Sequence, residues 1–327
     1  MMVVSKARRS LMLAAGIAWG APQVAAQSYP VRPIRIIVPT TPGGGYDNLG
    51  RMVAERLSPE LGNVGVVVEN RTGGGTLVGT QAAAAAAPDG YTLVVGGLAN
   101  MALNAGLYRN PQYDPATDFI PIALVASFSY CLVARKDLPQ NSLAELIAFG
   151  KANPGKLIMA TGGTGSGQHV AAVMLRKLAG IDMVEVPYKG AQAAYTDLVG
   201  GRVDLFFDNT TTAQPLIEAG RVKPIATSGS RRDASLPNVP TAVEAGLAGM
   251  ELESWLGIFA PARTPAPVVD RLRSAMAVVA RQPELRKRLE GGGWRMLDMS
   301  TADTERYVKA EAERWPRFLR EAGISGE

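Results

Sequence analysis

Two short stretches carry the residue types that could do chemistry. One is "TTPGGGYD" (Thr40 to Asp47), the other "TGGTGSGQH" (Thr161 to His169). The second contains the only histidine of the chain, His169, three residues after Ser166. That spacing lets the two side chains share a helix face, and a Ser-His-Asp hydrolase would have to use this histidine. The nucleophile-elbow pattern G-x-S-x-G is absent, because Thr164 and Gln168 stand where its glycines belong. His169 therefore reads as a polar residue near a helix start, placed to bond a ligand or a cleft water. Cys131 is the only cysteine, so an intrachain disulfide cannot form. One Cys and one His do not make a structural zinc site. No pair of carboxylates is singled out for glycosidase chemistry. The residues point to no catalytic group, no metal and no cofactor.

What remains is the glycine. Each stretch follows an apolar strand, "IRIIV" or "LIMA", and precedes a helical pattern. Ligands of open α/β sheets bind at the carboxyl ends of strands, where helices begin. Helix starts expose unpaired N–H groups and a partial positive charge. Glycine lets those donors approach an anion with no Cβ in the way. Turn punctuation is the competing reading for either loop alone. Two loops in corresponding positions, with Thr40, Thr41, Thr161, Thr164 and Ser166 adding hydroxyls, favour an anion site. Neither is a P-loop or a dinucleotide fingerprint. Neither holds an Arg or Lys for the second charge of a phosphate. Neutral donors suit a carboxylate.

Two acids flank these loops. Asp47 either caps the first helix or touches the ligand. Asp208 closes the apolar strand "VDLFFDN" and either meets a ligand ammonium or hydroxyl or stabilises an Asx-turn. Trp255 either walls the cleft or packs in the core. Tyr188 and Lys189 follow a strand end, with Lys189 read as a solvated charge.

The elements that position these residues alternate. Strands are expected at Ile34 to Val38, Val64 to Val68, Tyr91 to Val95, Leu157 to Ala160, Val184 to Val186 and Val203 to Phe207. Helices are expected at Asn48 to Leu61, through Ala82 to Ala87, Leu143 to Lys151, Gly167 to Leu178, Ala191 to Leu198, Val268 to Ala280, Glu284 to Glu290 and Ala302 to Ala322. Thr241 and Glu244 have the spacing of a capping box for a further short helix. Such alternation means parallel sheets covered on both faces. Two βαβ blocks without a flexible linker, joined by the strand-like passages Ile122 to Arg135 and Leu252 to Pro261, describe two lobes with a cleft between them. The division expected is lobe 1 over 27–128, lobe 2 over 129–254, and a return to lobe 1 with C-terminal helices over 255–327.

The chain has 327 residues, 47% hydrophobic and 19% charged, enough to bury substantial cores. Residues 1–26 read as an export signal: Lys6, Arg8 and Arg9, then the apolar "LMLAAGIAW", then cleavage after Ala26. Removing it lowers the formal charge from +5 to about +2. No basic cluster interleaved with aromatics marks a nucleic-acid surface.

The stretches "YPVRPIRIIVPTTPGGGYD", "VVVENRTGGGTLVGT", "PDGYTL", "GGTGSGQH", "VPYKGAQAAYTDLVGGRVDLFFDN", "PNVPTAVEAG" and "PARTP" run in order through nearly the whole mature chain. As a set, this chain resembles the Bug-type periplasmic receptors, the substrate-binding proteins of tripartite tricarboxylate transporters. The resemblance implies a type II periplasmic-binding-protein fold, an α/β protein whose two lobes close on a ligand. It implies capture of a small carboxylate by a monomeric periplasmic receptor that is not an enzyme. The loaded receptor would address membrane transporter subunits, or alternatively a sensor protein; a third reading is an envelope enzyme acting on a carboxylate in the same cleft. Carried onto this sequence, the ligand positions are Thr40, Thr41, Gly44, Gly45, Tyr46 and Asp47 in the first loop. In the second they are Thr161, Gly163, Thr164, Ser166 and His169, and Asp208 matches the family's strand-end aspartate. The family often has Phe-Pro at Thr40-Thr41 and Thr at Tyr46, departures that imply a pocket of different polarity and shape.

Overall fold

The computed structural model describes residues 29–163 and 165–324. The expected export signal and Thr164 lie outside them. β1 (Ile34–Val38) is wholly apolar except for Arg35, and its other four side chains are fully buried. This is the signature of a central parallel strand covered on both faces. It leads into α1 (Gly45–Glu60), β2 (Val66–Asn70), α2 (Leu77–Ala84) and β3 (Thr92–Gly97). β2 and β3 flank β1 in parallel register. A short π-helical segment, Ala99–Leu103, runs into α3 (Asn104–Leu107).

β4 (Phe119–Arg135) is 17 residues long and organises the rest. α4 (Leu143–Ala152), β5 (Leu157–Thr161), α5 (Gly167–Ala179), β6 (Met183–Pro187), α6 (Ala191–Val199), β7 (Leu205–Asn209), α7 (Thr210–Glu218) and β8 (Val222–Thr227) follow it. The chain then returns through β9 (Glu253–Pro261) to α8 (Ala266–Ala280), α9 (Pro283–Gly291), β10 (Arg295–Met296) and α10 (Thr301–Ala322). From Phe119 to Ser129, β4 pairs with β9; from Tyr130 onward its antiparallel partners are β7 and β8. One strand thus belongs to two sheet regions, β2-β1-β3-β9-β4 and β4-β7-β5-β6, and exchanges partners at Ser129 and Tyr130. The Leu252 N–H donates to the Ser228 carbonyl at 2.8 Å, tying the end of the outgoing segment to the returning strand.

Local chemistry explains where the elements depart from the expected pattern. Thr241 and Glu244 do form the reciprocal bonds of a capping box, at 3.0 and 2.9 Å. They close a run of turns and no helix follows, because Gly246 and Gly249 take positive φ within the next turn. β8 was hidden by Pro224, which coincides with a shift of register between Leu132 and Val133 on β4. Trp255 does not wall a cleft. It is fully buried, and its indole N–H donates to Glu311 on α10 at 3.1 Å; the Trp315 indole donates to the same oxygen at 2.8 Å. Glu311 therefore anchors the last helix to the returning strand. Replacing it with Ala leaves two buried indole donors without an acceptor, and is expected to cost about 2–4 kcal/mol. Denaturant unfolding of Glu311→Ala measures the loss, and a stability equal to wild type would contradict the anchoring role.

Candidate functional site

The first loop is held open by the residues around it. Gly43 takes φ of +83°, a conformation that favours glycine, and its N–H donates to Asp47 at 2.9 Å. Asp47 also accepts from Arg51 at 3.0 Å and from Asn70 at 2.9 Å. Asn70, at the end of β2, reaches on to the Thr40 carbonyl at 3.1 Å. Burial pulls the Asp47 carboxyl upward, but the bonds from Arg51, Gly43 and Asn70 outweigh it and hold the group below its ordinary range. Of the two roles open to Asp47, this geometry is the structural one at the helix start.

With Asp47 so engaged, α1 begins on Gly44 with no side-chain cap. Among the described residues, the N–H groups of Gly44, Gly45 and Tyr46 have no protein acceptor. The Thr40 hydroxyl beside them is buried and also lacks a partner. A Cβ on Gly44 would come within 4.0 Å of it. These are the unused donors of the first loop. Thr41 is exposed at its edge.

The second loop also turns on glycines at positive φ, but its helix has a side-chain cap. Ser166 caps α5, accepting from the His169 N–H at 3.1 Å and donating to the Gly163 carbonyl at 2.8 Å. Gly163 and Gly165 both take positive φ. His169 points toward β6: its Nδ1 accepts from Gly165 at 3.3 Å and its Nε2 lies 3.3 Å from Glu185. Both ring nitrogens thus have protein partners. Thr161 is buried at the end of β5. Among the described residues, the Gly167 and Gln168 N–H groups have no acceptor.

Residues that the sequence did not single out bring the loops together. Tyr130 stands on β4 where the strand changes partners, and its hydroxyl occupies the place a Cβ on Gly167 would take. Phe128 meets Tyr130 edge-on at 5.7 Å, and Trp294 leans on Phe128 at 5.5 Å. A Cβ on Gly45 would touch the Trp294 ring at 3.5 Å. Tyr46 is half-buried, its hydroxyl 3.4 Å from Asn100 and close over Gly97. Leu107 of α3 lies close to Gly165, its Cδ1 2.7 Å from where a Cβ would stand. An aromatic wall from three distant parts of the chain therefore links the two glycine loops. Tyr188 stands outside it, bonded to Asp197 at 2.7 Å.

Asp208, at the end of β7, is 1% exposed. One oxygen lies 3.4 Å from the Gln168 amide; the other has no hydrogen-bond partner. The Tyr195 hydroxyl beside it makes no bond of normal geometry either. Burial pushes the Asp208 carboxyl up to about 7.

Residues 49–324 match the tripartite tricarboxylate transporter family receptor, TctC. The chain belongs to this family. The receptor is similar to the periplasmic binding protein BugD, with 36% identity and a TM-score of 0.80 over 91% of this chain and 100% of that one. It is similar to Rpa4515 of R. palustris, solved with adipate, at 34% identity and a TM-score of 0.83, covering 91% and 100%. It is also similar to MatC (Rpa3494) of Rhodopseudomonas palustris with bound malate, at 33% identity and 0.80, covering 89% and 100%. The family is one of Bug-type solute-binding receptors rather than enzymes, and the architecture is its two-lobed α/β fold.

Two expectations follow for the receptor. Folded Asp208 keeps its proton to about pH 7, whereas its ordinary value is 3.8. The folded state binds the extra proton between those limits, so stability falls as pH rises through them and levels off above. The slope is on the order of 1.4 kcal/mol per pH unit within the window. Urea unfolding from pH 4 to 8 is expected to show it in wild type and not in Asp208→Asn; equal profiles would contradict the assignment. Second, Gly167→Ala drives a methyl into the Tyr130 hydroxyl and is expected to cost about 1–3 kcal/mol. Adding Tyr130→Phe is expected to recover part of it, and no recovery would contradict the contact.

Proposed function

We propose that the receptor captures a small organic carboxylate between its lobes in the periplasm and presents it to membrane transporter subunits. The observation that carries this reading is the set of unused donors at the start of α1: three main-chain N–H groups and the Thr40 hydroxyl. Taking a carboxylate out of water is costly unless several donors replace its hydration. Each charge-assisted bond contributes about 1.5–3 kcal/mol, so a few reach micromolar binding, roughly −8 kcal/mol. The second loop, whose Gly167 and Gln168 N–H groups have no acceptor among the described residues, supplies the remaining donors. Closure follows if the closed form makes more of these contacts than the open one.

The lobes proposed are 27–128 with 255–327, and 129–254; export is by the 1–26 signal, and the receptor acts as a monomer. Adipate and malate, bound by Rpa4515 and MatC, are the first ligands to try. No helix of the described residues is long and apolar enough to cross a membrane.

Gly44 is the position at which to test the site. Its φ of −79° and ψ of 173° suit any residue, and a Cβ there meets nothing closer than 3.6 Å. Gly44→Val is therefore expected to fold while its branched side chain covers the donors. Calorimetry with adipate and malate is expected to show at least about a hundredfold loss of affinity, the equivalent of one to two such bonds. Unchanged affinity in a folded variant would overturn the assignment.

A further inference from the structure

The sheet order runs β1-β3-β9-β4-β7-β5, so β3 and β9 separate the strand that feeds the first glycine loop from the strands that lead to the second. A ligand held by the N–H groups of Gly44, Gly45 and Tyr46 and reaching toward the loop after β5 passes over the ends of β3 and β9. Tyr46 stands in that path. Its main-chain N–H is one of the open donors of α1, and its half-buried ring leaves the same residue for the end of β3. The phenol oxygen lies 3.4 Å from Oδ1 of Asn100 and 2.7 Å from where a Cβ on Gly97 would stand. Gly97 is the last residue of β3 and pairs with Leu256 of β9. The missing side chain at this strand end is what makes room for the phenol.

The surroundings of the phenol are fixed. Asn100 is fully buried and its amide is engaged at both ends. Oδ1 accepts from the Gly97 N–H at 2.8 Å, and Nδ2 donates to the Thr80 hydroxyl at 3.0 Å and to the Val95 carbonyl at 3.3 Å. Burial and the neighbouring Tyr130 push the Tyr46 phenol up, while the Ala99 and Asn100 N–H groups pull the other way. Tyr46 is therefore a neutral, bulky group at neutral pH. At the far end of the path the Tyr130 hydroxyl occupies the place of a Cβ on Gly167, the first residue of α5. The space between the two helix starts is thus narrowed by a phenol at each end.

We propose that Tyr46 sets the length of the ligand: its ring closes the path over β3, so that a four-carbon diacid is held better than a six- or eight-carbon one. This rests on the carboxylate reading of the first loop given above. A longer chain anchored on the same N–H groups has to bend or push the ring off the β3 end, and overfilling a packed site is unfavourable. Anchoring and length are separable, because the donor is the main chain of Tyr46 and the limit is its side chain.

The test is calorimetry of wild type, Tyr46→Ala and Tyr46→Leu with succinate, adipate and suberate. Wild type is expected to bind succinate at least about tenfold more tightly than suberate, the scale on which a pocket discriminates chain length. Tyr46→Ala is expected to lower that ratio about tenfold or more, and Tyr46→Leu to lower it less. The Leu variant keeps an apolar side chain over β3, so the comparison survives if the Ala variant does not fold. A ring that only stabilised the fold would weaken all three acids alike. A succinate-to-suberate ratio that is the same in wild type and a folded variant, or a wild type that prefers suberate, would overturn the length limit and leave the carboxylate site standing. Absence of binding by all three acids in wild type would overturn the carboxylate reading and the length limit with it.

Discussion

A helix leaves its first N–H groups without partners, and a folded protein normally satisfies them with a side chain or water. Here the carboxylate best placed to do so, Asp47, is directed elsewhere. It takes Gly43, Arg51 and Asn70, and the cap position itself is a glycine. The donors of Gly44, Gly45 and Tyr46 stay open, and the loop that carries them is fixed from behind. The electrostatics follow from this one arrangement. The loop contains no Lys or Arg, and the nearby Arg51 of α1 is paired with Asp47. The proposed recognition rests on oriented dipoles held in place before the ligand arrives, which is how neutral donors become effective for an anion.

The two loops of the proposed site need something to hold them in register, and β4 does this. The strand runs through both sheet regions without a break and turns Phe128 and Tyr130 toward the loops. Tyr130 fits against Gly167 and Trp294 reaches Gly45, so each glycine loop rests on an aromatic ring fixed near the exchange point. The returning strand is held in turn by Glu311, which engages Trp255 and Trp315 together. Glycine has two roles here: at Gly43 it allows a backbone conformation, and at Gly167 it makes room for a neighbour.

Much of this was legible in the sequence, for physical reasons. The apolar runs of β1, β5 and β7 and the helical patterns that follow them are local signals, and local signals place helices and strands. The glycine loops were legible because each glycine run breaks the pattern between an apolar strand and a helix. Contacts between distant residues were not legible. Nothing near Trp294 or Tyr130 indicates that they meet Gly45 and Gly167. The commitments of Asp47 and His169 to the protein itself depend in part on Asn70 and Glu185, which lie on other elements. β8, interrupted by Pro224, and the π-helical turn at Ala99–Leu103 lack the periodicity that reveals an element.

The central claim is that bare main-chain amides at the start of α1 grip the ligand, and a crystal structure of the receptor with adipate tests it directly. The account expects a carboxylate oxygen within about 2.7–3.2 Å of at least two of the Gly44, Gly45 and Tyr46 nitrogens. Adipate bound with those nitrogens facing solvent, or lodged away from the first glycine loop, would contradict it.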